Sequence, residues 1–173
     1  MDLEVGRGLG VPLTDAQRET AQAAYFSTPV GRLHLFPGAL ELLRYLKRRG
    51  VLNFIVSFGD PQTQRAKLAA LGLDREPAVE NVFYADCAQV LTKEDVFRSI
   101  LRAVESDPAQ VLVVGDRPAS EIRAGKGLGM PSVRLRHGEF SGQEPESEAE
   151  RADFEIRKIA ALRKLPFHFG SPR

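Results

Sequence analysis

Hydrophobic positions along this chain alternate between short apolar runs and helical stripes. The runs Asn53–Ser57 and Val111–Gly115 are continuous rather than alternating, which indicates parallel strands that are covered on both faces. Between these runs, apolar residues recur at helical spacing, as at Val96, Ile100 and Val104. This alternation of strands and helices predicts a three-layer α/β fold with an open, mostly parallel, doubly wound sheet.

Residues that cap helices complete the predicted order of elements. Thr14 with Gln17, and Thr92 with Asp95, have the spacing of helix capping boxes, while Asp60 is interpreted as a helix cap. Helices are predicted at residues 14–26, 39–50, 60–72, 92–104 and 158–165, with one more ending near 128, and strands at 53–57, 81–84, 111–115, 132–136 and 153–156. The acidic stretch 138–151 is predicted to be a solvated loop.

Composition excludes several classes of protein. The chain has 173 residues and a formal charge of +1, so it offers no electrostatic case for binding nucleic acid or an anionic membrane. No apolar run approaches the ~18 residues that a membrane span requires. A single cysteine, Cys87, forms no disulfide within the chain, which favours a reducing, cytoplasmic location.

Candidate chemistry is concentrated at the ends of the predicted strands. Ser57 and Asp116 end two of them, and Lys93 precedes its helix on the same side of the sheet. Glu121 follows in the next helix, although a glutamate in a first helical turn is also stabilised by the helix dipole. A hydroxyl, a lysine and two acids are what a Mg²⁺-assisted phosphoryl-transfer site requires around its nucleophile.

These segments resemble the motifs of the haloacid dehalogenase-like hydrolases, over about residues 35–162. Ile55-Val-Ser57-Phe-Gly-Asp60 resembles the second motif, Lys93 matches the lysine of the third, and Val114-Gly-Asp116-Arg-Pro-Ala-Ser-Glu121 matches the fourth. The resemblance implies that Ser57 hydrogen-bonds the phosphoryl oxygens, that Lys93 neutralises charge, and that Asp116 and Glu121 hold Mg²⁺. It also implies a core at residues 35–173 and, at 1–34, an N-terminal segment with the remnant of a helical cap.

The family's first motif, an Asp-x-Asp that supplies the nucleophile after an apolar strand, has no match in these 173 residues. Asp2-Leu-Glu4 is the nearest acid pair, but no apolar strand leads into it. We therefore expect a Mg²⁺-dependent hydrolase of small-molecule phosphates by resemblance, with little or no turnover by this polypeptide. Truncation and true loss of the motif are both open. The alternatives are a non-catalytic phosphate-binding or regulatory protein and, less favoured, a purely structural module.

The missing strand leads to two further expectations. In the family it lies between the strands equivalent to 53–57 and 111–115, so these strands should either pair directly or be joined by residues 1–13 or by a second copy of the chain. Ser57 and Lys93 should still hold a tetrahedral anion such as phosphate, helped by the helix N-terminus after residues 59–61. Mg²⁺ should bind weakly or not at all, because part of its oxygen ligand set is missing.

Overall fold

The computed structural model describes residues 33–85 and 92–167, together with Thr14, Ala16, Gln17 and Thr20. Its helices are Ala39–Arg48 (α1), Pro61–Ala70 (α2), Lys93–Ala103 (α3) and Arg123–Gly127 (α4), and its strands are Phe54–Phe58 (β1), Asn81–Ala85 (β2), Val113–Gly115 (β3), Ser132–Leu135 (β4) and Phe154–Ile156 (β5). A π-helical turn, Pro118–Ile122, precedes α4, and short 3-10 helices occupy Pro108–Gln110, Glu139–Gly142, Glu148–Glu150 and Ile159–Lys164.

The described strands form two parallel sheets. β1 pairs with β2, with Phe54 opposite Asn81. β3, β4 and β5 form the second sheet, in which Gly115 lies opposite Arg134 and Val133 lies opposite Phe154. Parallel strands that alternate with helices confirm the predicted α/β fold.

Helices cover both faces of the second sheet. Val113 packs against Phe97 and Leu101 of α3, whereas Val133 packs against Leu42 of α1. Val133 lies opposite Val114 in the register, and successive side chains of a strand point to opposite faces, so these two clusters lie on opposite sides of the sheet. The result is the three-layer arrangement expected from the sequence.

The two sheets do not pair with each other in the part of the chain that the structure describes. Direct pairing of strands 53–57 and 111–115, one of the predicted outcomes, is therefore wrong for these residues. Helix α3 lies across the boundary and packs on both sheets, which holds them together without hydrogen bonds between the strands. A strand from residues 1–13 lies outside the described residues, and insertion from a second chain stays a prediction.

Two capping predictions are confirmed and three element predictions change. Both capping boxes form: Gln17 N donates to Thr14 Oγ1, and the Thr92 and Asp95 side chains cap α3 reciprocally. β3 begins later than predicted because the backbone N–H of Val111 closes the preceding 3-10 helix. The helix predicted at 158–165 is a 3-10 helix, and the helix after β3 opens with the π-helical turn. Continuation of the helix from Thr14 to Phe26, and the cap remnant at 1–34, fall largely outside the described residues.

Among these helices, none has the length and apolar character to cross a membrane.

The apolar run of β1 predicted a strand covered on both faces, but β1 is half-buried, and its last residue is exposed. Two of the largest exposed apolar side chains, Phe58 and Val114, lie on β1 and β3, the two strands that the missing strand was expected to separate.

A polar clasp joins the beginnings of β4 and β5. Asp153 Oδ2 accepts hydrogen bonds from the backbone N–H (2.7 Å) and the hydroxyl (2.8 Å) of Ser132, which is fully buried. Lys126 Nζ lies 3.3 Å from the same carboxylate. Burial opposes ionisation of this carboxyl, but the hydrogen bonds from Ser132 and the charge of Lys126 hold the pKa of Asp153 below its usual value.

Replacement of Asp153 by alanine should lower the free energy of unfolding by about 1–3 kcal/mol, because it leaves the buried donors of Ser132 unsatisfied. Chemical denaturation measures the change, and Asp74→Ala is the control, since Asp74 is exposed and forms a long ion pair, 3.8 Å, with the neighbouring Arg75. The contribution from the lowered pKa is present above the usual carboxyl value and is lost as the pH falls through the lowered one. Wild type and Asp153→Asn should therefore converge in acid, and a constant difference would contradict this assignment.

Candidate phosphate site

The candidate residues lie at the carboxyl ends of the parallel strands. Ser57 is the penultimate residue of β1, Asp116 directly follows β3, and Lys93 is the first residue of α3. Parallel sheets present their strand ends and the adjoining helix starts at one edge, where ligands of open α/β folds bind. The described residues therefore place the predicted hydroxyl, lysine and acids at the edge that this fold class uses for binding.

Lys93 and Glu121 form the central contact of the site. The ammonium of Lys93 and Oε1 of Glu121 are joined in an ion pair that links the start of α3 to the π-helical turn. Both side chains are largely buried, with 12% and 18% of their surfaces exposed. Lys93 also lies 5.8 Å from the centre of the Phe58 ring. An ion pair so poorly solvated contrasts with the exposed lysine that a helix start would otherwise carry.

Opposing influences act on the charge of Lys93. Burial lowers the pKa of Lys93 to about 8; the nearby Asp116 carboxylate opposes this shift, and the positive charge of Arg117 adds to it. The ion pair with Glu121 also favours the charged form. The ammonium is therefore a cation that water solvates weakly, and an incoming anion would compensate for that loss.

Glycine at position 115 makes room for Glu121. A Cβ atom at Gly115 would lie 2.7 Å from Cβ and 2.8 Å from Cγ of Glu121, closer than real Cβ contacts. The end of β3 and the glutamate side chain therefore occupy adjoining space, and this close approach directs Glu121 towards Lys93. The sequence showed this glycine only as part of a motif.

Gly115→Ala should displace Glu121 and lower the free energy of unfolding by about 1–3 kcal/mol, because the surrounding backbone has to move. Gly142→Ala is the matched control: a Cβ there meets nothing within 4 Å, and the change should stay within about 0.5 kcal/mol. Equal denaturation midpoints for the two variants would show that Glu121 does not occupy the position described.

Ser57 is held apart from the ion pair. Its hydroxyl donates a 2.8 Å hydrogen bond to Oε1 of Gln64 on α2, a partner that the sequence did not indicate. Asp60 caps α2, as predicted, by accepting from the backbone N–H of Thr63 at 2.7 Å. Hydrogen bonding with the side chain and the backbone N–H of Thr63 lowers the pKa of Asp60. The same bond occupies a backbone donor that was expected to serve an anion, so the α2 N-terminus offers less than predicted.

Asp116 and Glu121 offer carboxylate oxygens at this edge of the sheet. The Asp116 carboxylate makes no hydrogen bond to any residue in the described ranges, and Oε2 of Glu121 is buried there without a hydrogen-bond partner. Two carboxylates suit Mg²⁺, which takes oxygen ligands and commonly keeps water and substrate phosphate in its shell. Among the described residues no cluster of three or more acidic, histidine or cysteine side chains surrounds a common point. The donors thus fit a Mg²⁺ ion that takes its remaining ligands from elsewhere.

Arg117 is a charged residue near the site to which the sequence alone assigned no role. It follows Asp116 directly, its guanidinium lies 4.9 Å from the centre of the Phe140 ring, and its charge acts on Lys93. The signal in the sequence that could have indicated a role was its position directly after Asp116 at the end of a predicted strand. Contact with Phe140, 23 positions away, was not readable from the local pattern.

Comparison with known proteins gives a consistent result. The model of the haloacid dehalogenase-like hydrolases matches residues 7–129. Over 140 residues the chain is 31% identical to the glyceraldehyde 3-phosphate phosphatase of Pyrococcus furiosus, a match that covers 80% of this chain and 57% of that protein. Over 125 residues it is 30% identical to the phosphoglycolate phosphatase of Rhodospirillum rubrum, covering 72% of this chain and 51% of the relative. The chain thus spans little more than half the length of these relatives.

Solved structures share the fold. A predicted phosphoglycolate phosphatase from Haemophilus somnus superposes with a TM-score of 0.73 at 19% identity, covering 92% of this chain and 71% of that one. A phosphatase of the same family from Thermococcus onnurineus gives a TM-score of 0.63 at 20% identity, covering 93% and 84%. At these identities the likeness concerns the fold.

Proposed function

Because the chain belongs to the haloacid dehalogenase-like hydrolases, we propose that its strand-end site binds the phosphate group of small phosphate monoesters, as part of a Mg²⁺-dependent phosphohydrolase site. The observation that carries this proposal is the largely buried ion pair of Lys93 and Glu121 beside Asp116. A cation held with so little water suits a doubly charged anion. The names of the relatives, phosphatases of glyceraldehyde 3-phosphate and of phosphoglycolate, support a small monoester as substrate.

Each residue has a distinct task in this proposal. Lys93 pairs with phosphate oxygens and gives up part of its contact with Glu121 when the anion enters. Ser57 exchanges its bond to Gln64 for one to a phosphate oxygen, a neutral swap because one acceptor replaces another. Asp116 and Glu121 would hold Mg²⁺, which when bound supplies positive charge to the transferring group.

The nucleophile would come from outside these residues. Asp116 is assigned to the metal, and the family's Asp-x-Asp motif, which supplies the nucleophile, has no match in these 173 residues. Without that motif the covalent route through an aspartyl-phosphate lacks its attacking carboxylate. We therefore expect the 173-residue polypeptide to bind phosphate while hydrolysing phosphate esters slowly or not at all. This makes a phosphate-binding protein the second candidate function.

Calorimetry with inorganic phosphate and with MgCl₂, in separate titrations and together, tests the proposal. We expect measurable phosphate binding, weak Mg²⁺ binding alone, and stronger Mg²⁺ binding once phosphate is present. Asp116→Asn should remove the Mg²⁺ response and leave phosphate binding in place. Tight Mg²⁺ binding without phosphate, or no phosphate binding, would contradict the proposal.

Hydrolysis of p-nitrophenyl phosphate separates the two candidate functions. Robust, Mg²⁺-dependent turnover that Asp116→Asn abolishes would show that the polypeptide has its own nucleophile and would overturn the expectation of little activity. Phosphate binding without turnover would favour the binding function.

A further inference from the structure

The segment that follows β4 is fastened to the sheet by a buried arginine. Arg134 is 1% exposed, and its Nη1 donates to Oε1 of Glu155 on β5 at 3.2 Å. Its Nη2 donates to the backbone carbonyls of Phe140 (3.0 Å) and Gln143. We call residues 138–143 the β4 loop. A guanidinium buried in this way holds the loop against the sheet, because its donors bind two of the loop's backbone carbonyls.

Arg136, the residue that directly follows β4, makes a similar contact. Arg136 Nε donates to the carbonyl of Ser141 at 3.2 Å, and its Nη1 donates to Oε2 of Glu155 at 3.2 Å. Arg134 in β4 and Arg136 just after it therefore share one glutamate. The stretch that the sequence predicted to be a solvated loop is therefore anchored at this end.

The anchored loop lies beside the candidate site. β3 and β4 are parallel, and Arg134 lies opposite Gly115, the residue before Asp116. The segments that follow these two strands therefore leave the sheet at the same edge. Phe140, half-buried in the β4 loop, presents its ring to the Arg117 guanidinium at 4.9 Å from the ring centre. A guanidinium over an aromatic face is an attractive contact with a defined direction.

Arg117 is close enough to the site to act on it. It directly follows Asp116 and lies two residues after Gly115, on which Glu121, the ion-pair partner of Lys93, packs. A phosphate dianion that enters beside Lys93 would be attracted by both. The orientation of Arg117 therefore bears on how strongly the site binds an anion.

We propose that Phe140 is a positioning residue of the phosphate site: held by Arg134 through its carbonyl, it fixes the Arg117 guanidinium beside Asp116, so that Arg117 and Lys93 together attract the phosphate. This inference rests on the proposed phosphate site. The role belongs to the aromatic face of Phe140, and Arg117 is the group that carries its effect to the ligand.

The aromatic face is tested with Phe140→Leu and Phe140→Tyr. Leucine keeps an apolar side chain and removes the ring, whereas tyrosine keeps the ring. We expect Phe140→Leu to weaken the binding of inorganic phosphate about threefold to tenfold in calorimetry, and Phe140→Tyr to bind like the wild type. Phe154→Leu is the control, because Phe154 is an aromatic residue in the cluster on the opposite face of the sheet.

A double-variant cycle assigns the effect to Arg117. In an Arg117→Ala background, Phe140→Leu should cause no further loss of phosphate affinity, because the group that it positions is gone. An equal loss in both backgrounds, or a loss in Phe140→Tyr as large as in Phe140→Leu, would overturn the proposal. A purely structural role would also lower phosphate affinity in Phe154→Leu to a similar extent.

Hydrogen exchange without ligand keeps this test separate from the test of the phosphate site. The amides of Arg117 and of residues 119–121 should exchange several-fold faster in Phe140→Leu than in the wild type, and unchanged protection would overturn the positioning role. If the wild type binds no phosphate, the proposed function fails. Hydrogen exchange is then the one measurement that tests whether Phe140 positions Arg117. If Lys93→Met weakens phosphate binding and Phe140→Leu does not, the proposed function stands and this inference fails.

Discussion

Replacing Lys93 by methionine should weaken the binding of inorganic phosphate about tenfold to hundredfold, the range expected for a hydrogen bond between charged groups. Methionine keeps much of the apolar stem, so packing at the start of α3 changes little. The effect should be large because only 12% of the lysine side chain is exposed, and water therefore replaces its contribution poorly. Calorimetry with inorganic phosphate measures the loss directly.

Lys47→Met is the matched control for this experiment. Lys47 also forms an ion pair, with Glu80, but it is 42% exposed, and both residues precede their strands rather than follow them. They therefore lie at the edge opposite the candidate site, and phosphate affinity should be unchanged. Equal affinities of Lys93→Met and the wild type would remove Lys93 from the site.

Replacing Ile122 by alanine should lower the free energy of unfolding by about 2–5 kcal/mol, the range seen when a large apolar side chain is removed from a packed interior. Ile122 is fully buried and ends the π-helical turn that carries Glu121. Because Ile122 directly follows Glu121 in the chain, the variant should lose phosphate affinity as well as stability.

Leu52→Ala provides the control for Ile122→Ala. Leu52 has the same number of carbon atoms but is 48% exposed, so its removal should cost less than about 1 kcal/mol. Urea denaturation of both variants measures the difference. Similar midpoints would contradict the burial of Ile122 described here.

Local signals in the sequence were sufficient for most of the elements. The Thr92–Asp95 capping box and the Asp60 cap depend on residues a few positions apart, and both form as predicted. The order of strands and helices followed from the alternation of apolar runs with helical stripes, although β1 is less buried than its run predicted. The α/β fold could therefore be predicted from hydrophobic spacing and helix ends.

Contacts between distant residues could not be predicted in the same way. The bond of Ser57 to Gln64, the packing of Glu121 on Gly115 and the contact of Arg117 with Phe140 each depend on how separate elements meet. The acidic stretch is a clear case: its composition indicated solvation, but Arg134 of β4 and Arg136, just after β4, bind its backbone carbonyls. Composition describes side chains, whereas these arginines bind the main chain.

Helix α3 also bears on how the protein unfolds. Its Phe97 and Leu101 complete the apolar cluster of one sheet, while its Val96 and Ile100 complete that of the other. Within the described residues no ladder of strand hydrogen bonds joins the two sheets, so loss of this single helix would expose apolar surface on both at once. Cooperativity between the two halves of the domain is therefore transmitted by side-chain packing along one helix, and the amides of α3 should be among the last to exchange.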